Sequence, residues 1–298
     1  MKTTTDWKDF VITRLIHLSG YSSIVFVALI FYFLISEGLP TLGEVKFTNL
    51  FSSRWYPIEN YFGLLPLLGG SLLVTLGAML IGIPIGIGSA IYIAEIAPRW
   101  ARELLKPCVE VLAGIPSVVL GFLGVIVLAP YLRKLFEIPT GLTAFAGSLL
   151  LAAISIPTIV SIADDALHAV PRSYRDAALA LGVTEWQTIW HVTLPAARTG
   201  VLTACMLGIG RTIGETMTVM MVTGNAPIIP DSLADLFSPV RTMTATIAAE
   251  MGEVAAGSTH YHVLFFIGII LFLISLAINI TASAVVFRQR KRAERILS

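Results

Sequence analysis

The chain has 298 residues, of which 56% are hydrophobic and 13% are charged, and its formal net charge is +1. Soluble domains usually carry about 25% charged residues. The composition therefore excludes an ordinary water-soluble fold and indicates that a lipid bilayer is the solvent.

Six apolar segments are long enough to cross a bilayer, which requires about 20 apolar residues in a helix. In chain order they are Leu15 to Ser36, a segment within Tyr61 to Ala94, Val111 to Leu132, Gly141 to Ala163, Thr199 to Gly224 and Val263 to Phe287. We therefore predict an all-α integral membrane protein with six transmembrane helices. The first segment is too long for a cleavable signal peptide, so we expect it to be retained.

The distribution of Lys and Arg predicts the orientation of the spans. With the N-terminus in the cytoplasm, the inner segments carry fourteen of these residues and the outer segments carry five. This bias predicts that both termini are cytoplasmic. The basic run Arg288 to Arg295 directly follows the last span, which is typical of an anchor at lipid headgroups and not of a nucleic-acid site.

The predicted spans divide the chain into three parts. Residues 1–60 hold the first span and an external loop. Residues 61–290 hold the other five spans, with a long cytoplasmic loop at about 164–198. Residues 291–298 form a basic cytoplasmic tail.

A second long connection, from about Asn225 to His262, lies on the external side in this orientation. Its segment Arg241 to Glu253 predicts a short amphipathic helix. His260 and His262 are two residues apart, which suits a shared metal poorly on a helix. No metal site is predicted.

Two apolar interruptions resemble each other: Gly114-Ile115-Pro116-Ser117 and Ser155-Ile156-Pro157-Thr158. A proline frees backbone carbonyls within a span, and transporters use such breaks along their solute paths. A plain helix kink is the other interpretation. The path interpretation includes Ser117 among the residues that the solute passes.

The cytoplasmic stretch Arg175 to Pro195 predicts two short helices. The first helix begins with Asp176, Ala177 and Ala178 and is rich in small side chains. Gly182 can end it in a left-handed conformation. Thr184 and Gln187 form a capping box for the second helix, whose apolar stripe is Trp186, Ile189 and Trp190. Leu194 and Pro195 are expected to end this helix before the fifth span.

Small residues and exposed tryptophans favour contact with another protein. The loop is therefore either a docking surface for a cytoplasmic partner or a hairpin packed on its own domain. The residues alone leave both interpretations open.

The spacing of this loop resembles the EAA loop of bacterial ABC importer permeases: E-A-A, three residues, G, nine residues, I-x-L-P. Here it reads Asp176-Ala177-Ala178, then Gly182, then Val192-Thr193-Leu194-Pro195, with two conservative departures at Asp176 and Val192. The resemblance implies the type I ABC importer permease fold, also called MetI-like. It also implies that Asp176, Ala177, Ala178 and Gly182 belong to a coupling helix that docks on an ATPase subunit.

The chain contains no Gly-Lys dipeptide, so it has no Walker A phosphate loop. We expect a transport subunit that is not itself an enzyme and that holds no cofactor of its own. As the resemblance implies, ATP and Mg²⁺ would be bound by a partner ATPase.

A charged pair lies within the fifth predicted span, in the stretch Gly208 to Val219. Arg211 and Glu215 are four residues apart, which on a continuous helix places them on one face, near Thr216. They are either a structural ion pair or part of a solute path, because ionisable groups inside a membrane are functional candidates. Arginine binds oxyanions through a two-pronged contact, and Glu215 can accept a hydrogen bond from a protonated anion such as phosphate.

The stretch Arg211-Thr212-Ile213-Gly214-Glu215-Thr216-Met217 also resembles the R-x-x-G-E-T-M signature of phosphate importer permeases of the PstC type. The likeness extends from about Tyr61 to Phe287. It implies a heterodimer with a PstA-type permease, two ATPase subunits, an external phosphate-binding protein and a bacterial or archaeal cytoplasmic membrane.

Three other functions are considered. A permease for molybdate or tungstate shares the loop but is not expected to show the R-x-x-G-E-T signature. A proton-driven transporter would use Arg211 and Glu215 as a relay, but it would not need the docking loop. An intramembrane enzyme would need paired catalytic groups, and Asp164 and Asp165, at the inner end of the fourth span, are expected to be a solvated cap.

Overall fold

The computed structural model describes residues 4–297, without the side chains of residues 4–6, 8, 233–234, 282 and 285–297. Its helices are α1 (Thr4–Gly38), α2 (Thr41–Glu44), α3 (Phe47–Leu50), α4 (Leu65–Ile91), α5 (Arg99–Gly114), α6 (Ser117–Leu123), α7 (Ala129–Phe136), α8 (Ala144–His168), α9 (Arg172–Ala180), α10 (Glu185–Thr188), α11 (Leu194–Ile213), α12 (Met217–Val222), α13 (Met243–Glu250) and α14 (Thr259–Leu297). The strands β1 (Trp55–Tyr56) and β2 (Tyr61–Phe62) form an antiparallel hairpin.

Three π turns extend these helices. They are Tyr92–Ile96 after α4, Gly124–Leu128 between α6 and α7, and Ile189–Thr193 between α10 and α11. With them, six segments of the described chain are long and apolar enough to cross a membrane. They are Asp9–Glu44, Leu65–Ile96, Ser117–Phe136, Ala144–His168, Glu185–Ile213 and Thr259–Thr281. The prediction of an all-α protein with six transmembrane helices is confirmed.

The third span begins later than predicted. The expected start at Val111 is wrong, because α5 ends at Gly114 and the span starts at Ser117. Ile115 and Pro116 between them have extended backbones, with ψ angles of 126° and 135°. A residue that precedes proline avoids the helical region, so this interruption is a full helix break. The interruption at Pro157 instead lies inside the continuous helix α8.

The fifth span is wrong at both predicted ends. Leu194 and Pro195 do not end a helix, because α10, the π turn and α11 run on continuously from Glu185 to Ile213. Proline lacks an N–H donor and crowds the preceding turn. Here the π turn ends at Thr193, just before Leu194 and Pro195. The Leu194 N–H donates to the Ile189 carbonyl, five residues back, whereas in an α-helix the acceptor is four residues back.

The centre of the bundle is α8, which packs between α4 and α11. Small residues let these helices approach closely. On α4, a Cβ added at Gly82 would lie 2.9 Å from the Ser155 hydroxyl, and a Cβ added at Gly86 would lie 2.7 Å from the Ile159 side chain. The Ser148 hydroxyl of α8 also donates to the Val74 carbonyl of α4 at 3.1 Å. The helices α4 and α8 are therefore closely packed where they cross.

Gly86→Ala is expected to destabilise the protein, whereas Gly88→Ala on the same helix is not. The new methyl group at residue 86 would meet the fully buried, branched Ile159, while nothing lies within 4 Å of a Cβ at Gly88. Overpacking costs about 1–3 kcal/mol, and alanine is favoured over glycine in helices by about 1 kcal/mol. Thermal unfolding in detergent measures both variants, and equal midpoints would contradict this packing.

The hairpin of β1 and β2 is fixed to the rest of the protein through Glu250 at the end of α13. This carboxylate accepts a hydrogen bond from the Trp55 indole at 3.1 Å, and it pairs with Arg241 at 2.6 Å and with His260 at 2.8 Å. The predicted short helix in this loop is confirmed. Its first turn, from Met243 on, is buried in the protein, so it is not an amphipathic helix lying on the surface.

Candidate functional site

Arg211 lies in the last turn of α11, within the fifth span, and its side chain is exposed on the surface of the chain. Its Nη1 donates to the Thr158 hydroxyl at 3.1 Å. Among the described side chains, no carboxylate lies within 4.0 Å of the guanidinium. The structural ion pair between Arg211 and Glu215, one of the two interpretations of the sequence, is therefore absent among the described side chains.

The helix ends between the two charged residues. α11 stops at Ile213, and Gly214, Glu215 and Thr216 separate it from α12. The Thr216 hydroxyl donates to the Gly214 carbonyl at 3.2 Å, a local bond that competes with helical hydrogen bonding. The prediction that Arg211 and Glu215 share one face of a continuous helix is therefore wrong.

Glu215 instead lies beside the start of α12. Its backbone carbonyl accepts a hydrogen bond from the Thr244 hydroxyl of α13 at 3.1 Å. Glu215 lines a cavity of about 10 Å³ together with hydroxyl-bearing residues of α4, of α11 and of the start of α13. A cavity of this size holds about one water molecule. The polar residues that line it, besides Glu215, are Ser71, Thr75, Thr212, Thr242 and Thr244.

Ser117 is joined to the same region through its backbone. The Thr218 hydroxyl of α12 donates to the Ser117 carbonyl at 2.8 Å. The helices α6 and α12 therefore meet near their first residues. Of the predicted path residues, the structure brings Ser117, Glu215 and Thr216 to this junction, whereas Arg211 contacts Thr158 on α8.

Sequence reasoning missed three residues of this site: Thr158, Thr218 and Thr244. Thr158 ends the second proline interruption, so it carried a signal in the sequence. Thr218 lies two residues after Thr216 of the signature, but a threonine in an apolar helix is common and does not by itself indicate a site. Thr244 carried no signal, because only the fold brings it to Glu215.

The loop between the fourth and fifth spans, which the sequence predicts to be cytoplasmic, has the predicted helix–turn–helix form. Gly182 has a φ of +81° and follows the end of α9, and Thr184 and Gln187 form the predicted capping box. The first helix begins at Arg172, four residues before Asp176. This start is set by Pro171, which takes an extended conformation before the helix.

The outer surface of the loop is apolar and open. On α9, Asp176 and Ala177 are exposed, whereas Ala178 packs against the chain. Leu181, directly after α9, is 85% exposed. Trp186 and Trp190 are also exposed and contact each other edge to face, but Ile189 of the predicted stripe is buried.

Asp164 is not the solvated cap expected from the sequence. It is 2% exposed, and its carboxylate accepts a hydrogen bond from Lys106 of α5 at 2.8 Å. This hydrogen bond raises the pKa of Lys106 above its ordinary value. The pair joins α5 to the C-terminal end of α8.

Residues 82–293 match the family of binding-protein-dependent transport system inner membrane components. The chain belongs to this family. It is a multi-pass membrane permease, and the loop that holds α9 and α10 lies in the part of the chain that the family covers.

Two relatives are similar over most of this permease. One is the Bacillus subtilis protein YqgH, named as a probable ABC transporter permease, which is 40% identical over 76% of this chain and 73% of its own length. The other is the phosphate transport system permease protein PstC of Mesorhizobium japonicum, which is 35% identical over 85% of this chain and 81% of its own. The resemblance to PstC-type permeases is thus confirmed.

The fold of the permease is similar to that of a solved ABC importer. A chain of the MetNI methionine transporter in an inward-facing conformation superposes with a TM-score of 0.56 at 20% identity. The match covers 76% of this chain and 94% of that one. The predicted MetI-like fold is confirmed.

His260 and His262 of the permease bind different partners. His260 contacts Glu250, whereas His262 contacts Glu44 at 2.9 Å. Within residues 4–297, the described side chains form no group of three metal-ligating residues.

Proposed function

We propose that this permease is a membrane subunit of an ATP-driven importer of inorganic phosphate. The observation that carries the proposal is Arg211, a cation in a membrane span with no carboxylate of the described chain within 4.0 Å. The likeness to proteins named PstC supports phosphate as the transported anion.

An uncompensated arginine in a span is costly unless it faces water, protein or an anion. Insertion scales give about 2.5–3.5 kcal/mol for a charge at the centre of a helix. Exposure of Arg211 at the surface of the single chain leaves its guanidinium free for another group. A phosphate oxygen pair matches the two parallel N–H donors of arginine.

The break after Ile213 provides further groups for an anion. Irregular backbone within a membrane is tolerated where it lines a water-filled cavity, and transporters place solute sites at such broken helices. Arg211, Ser117, Glu215 and Thr216 are the path residues in this proposal. Near neutral pH phosphate keeps at least one proton, which can donate a hydrogen bond to the Glu215 carboxylate.

Glu215→Gln is expected to reduce phosphate uptake at least tenfold and to raise sulfate or molybdate uptake relative to phosphate. The carboxylate repels a fully ionised anion but accepts the proton of phosphate, whereas the amide lacks the negative charge. The measurement is the initial rate of labelled-anion uptake by the reconstituted complex. Glu103→Gln, on the exposed face of α5, is the matched control.

An unchanged rate of phosphate import by Glu215→Gln would contradict this role of the carboxylate. A wild-type complex that imports molybdate or tungstate in preference to phosphate would instead favour the other oxyanion permease.

The energy for transport comes, in this proposal, from other subunits. The chain contains no Gly-Lys dipeptide, so ATP and Mg²⁺ are bound by two copies of a partner ATPase, and this chain needs no cofactor. The ATPase-coupling surface in this proposal is formed by the exposed Asp176 and Ala177. The other residues of the loop motif keep the loop in its shape; they are Ala178, Gly182, Leu194 and Pro195. Exposed Leu181 adds apolar area to this surface.

The remaining partners follow from the same assembly. A PstA-type permease completes the path beside Arg211, and an external phosphate-binding protein delivers the anion. The surplus of Lys and Arg on one side supports cytoplasmic termini in a bacterial or archaeal cytoplasmic membrane. The basic side chains of residues 291–298 lie outside the described side chains.

A further inference from the structure

Arg175, two turns before Gly182, reaches from α9 back to the end of the second span. Its Nε donates to Glu95 Oε2 at 3.1 Å, and its Nη2 donates to the other oxygen of the same carboxylate. The Arg175 side chain is 21% exposed and that of Glu95 is 9% exposed. The contact is therefore a two-pronged ion pair that is largely shielded from solvent, unlike a surface pair.

The same guanidinium also binds the end of α8. Its Nη1 donates to the Val170 carbonyl at 2.8 Å, and its Nη2 donates to the Leu167 carbonyl at 2.9 Å. One side chain thus joins α9 to both the second and the fourth span. On α9 itself Ala178 is the buried residue, so few apolar contacts compete with this polar connection.

The π turn that carries Glu95 is itself held by hydrogen bonds from α5. Glu95 lies in the π turn Tyr92–Ile96 at the end of α4, and π turns occur frequently at functional sites. Arg102 of α5 donates to two carbonyls of this turn, to Ile93 at 2.9 Å and to Ala94 at 2.8 Å. A movement of Glu95 therefore carries the whole turn and the end of α4 with it.

The second span leads from this turn to the break in the fifth span. α4 packs along α8, and the Met79 sulfur of α4 lies 3.9 Å from the Thr212 hydroxyl, directly beside Arg211. The helix α4 thus connects the π turn with Thr212, the residue next to the charged Arg211 in the membrane.

We infer that the Arg175–Glu95 pair transmits the movement of α9 to the second span, and that both residues are positioning residues for coupling. The inference rests on the proposed function, because it takes α9 to be the helix that the ATPase moves. When α9 shifts, the two-pronged contact pulls the π turn and α4 with it. Loss of the pair leaves the ATPase docked while α4 no longer follows.

Glu95→Gln and Arg175→Gln test this inference in the complete complex with its ATPase and second permease. Reconstituted vesicles are used to measure phosphate uptake and ATP hydrolysis together. We expect ATP hydrolysis to stay within about twofold of wild type and phosphate uptake per ATP to fall at least tenfold in each variant. The double variant is expected to lose no more than either single one, because groups that act as a unit are not additive.

The matched control is the pair Arg99–Glu103, which spans 4.0 Å and is 95% and 73% exposed. Glu103→Gln should leave uptake per ATP unchanged. Arg175→Lys keeps the charge but loses the two-pronged contact, so it should also uncouple the complex if Glu95→Gln fails to assemble.

Three results would overturn the inference. They are wild-type uptake per ATP in Glu95→Gln, additive losses in the double variant, or, where the glutamine variants fail to assemble, wild-type uptake per ATP in Arg175→Lys. A wild-type complex that imports no phosphate would contradict the proposed function instead. The ratio of uptake to ATP hydrolysis could then still be measured with the anion that it does import.

Discussion

Arg211→Met is expected to lower phosphate uptake about a hundredfold while the complex stays assembled. Methionine has nearly the length of arginine but offers no donor to an anion. Removal of one partner of a desolvated charged contact costs about 2–5 kcal/mol, and about 3 kcal/mol corresponds to a hundredfold change. The initial rate of labelled-phosphate uptake measures the effect.

The same substitution separates function from folding. Because a charge in a span opposes insertion, Arg211→Met should be expressed and assembled at least as well as wild type. Arg211→Lys should retain part of the activity, since it keeps the charge without the two-pronged geometry. Arg133→Met, at the end of α7, is a control for removing an arginine elsewhere. Wild-type uptake by Arg211→Met would show that the anion does not contact this residue.

Ala177→Arg is expected to separate the permease from its ATPase. Ala177 is exposed on α9, so the long side chain does not disturb the fold of this chain, but it prevents close contact with a partner. Recovery of the ATPase with the tagged permease should fall more than tenfold, and ATP-driven uptake should be lost with it.

Ala256→Arg is the matched control, because it adds the same side chain at an exposed position of the other long loop. It should leave recovery of the ATPase unchanged. Normal recovery and normal uptake in Ala177→Arg would place the docking surface elsewhere.

Features that depend on neighbouring residues in the chain were predictable from the sequence. Six apolar segments, the left-handed Gly182 and the capping box of Thr184 with Gln187 are all local, and all three are found in the structure. Average hydropathy, however, does not respond to a helix end within an apolar stretch. For this reason the helix end after Ile213 was not predicted, and at Gly114 to Ser117 the sequence marked an interruption without distinguishing a kink from a full break.

The partners of the site residues depend on the fold. Three of these contacts join residues that are far apart in the sequence. The separation is 53 positions for Arg211 and Thr158, 101 for Thr218 and Ser117, and 80 for Arg175 and Glu95. Each residue type can form its bond with many others, so no spacing in the sequence identifies the pair. The sequence therefore indicated Arg211 and the loop as functional, but it did not indicate how they are held.

Uptake of labelled phosphate into vesicles that contain the complete complex most directly tests whether this permease serves ATP-driven phosphate import through Arg211. The proposal predicts uptake that requires ATP, persists in excess sulfate or molybdate, and falls to background with Arg211→Met. Uptake that proceeds without ATP, or that carries molybdate and excludes phosphate, would contradict it.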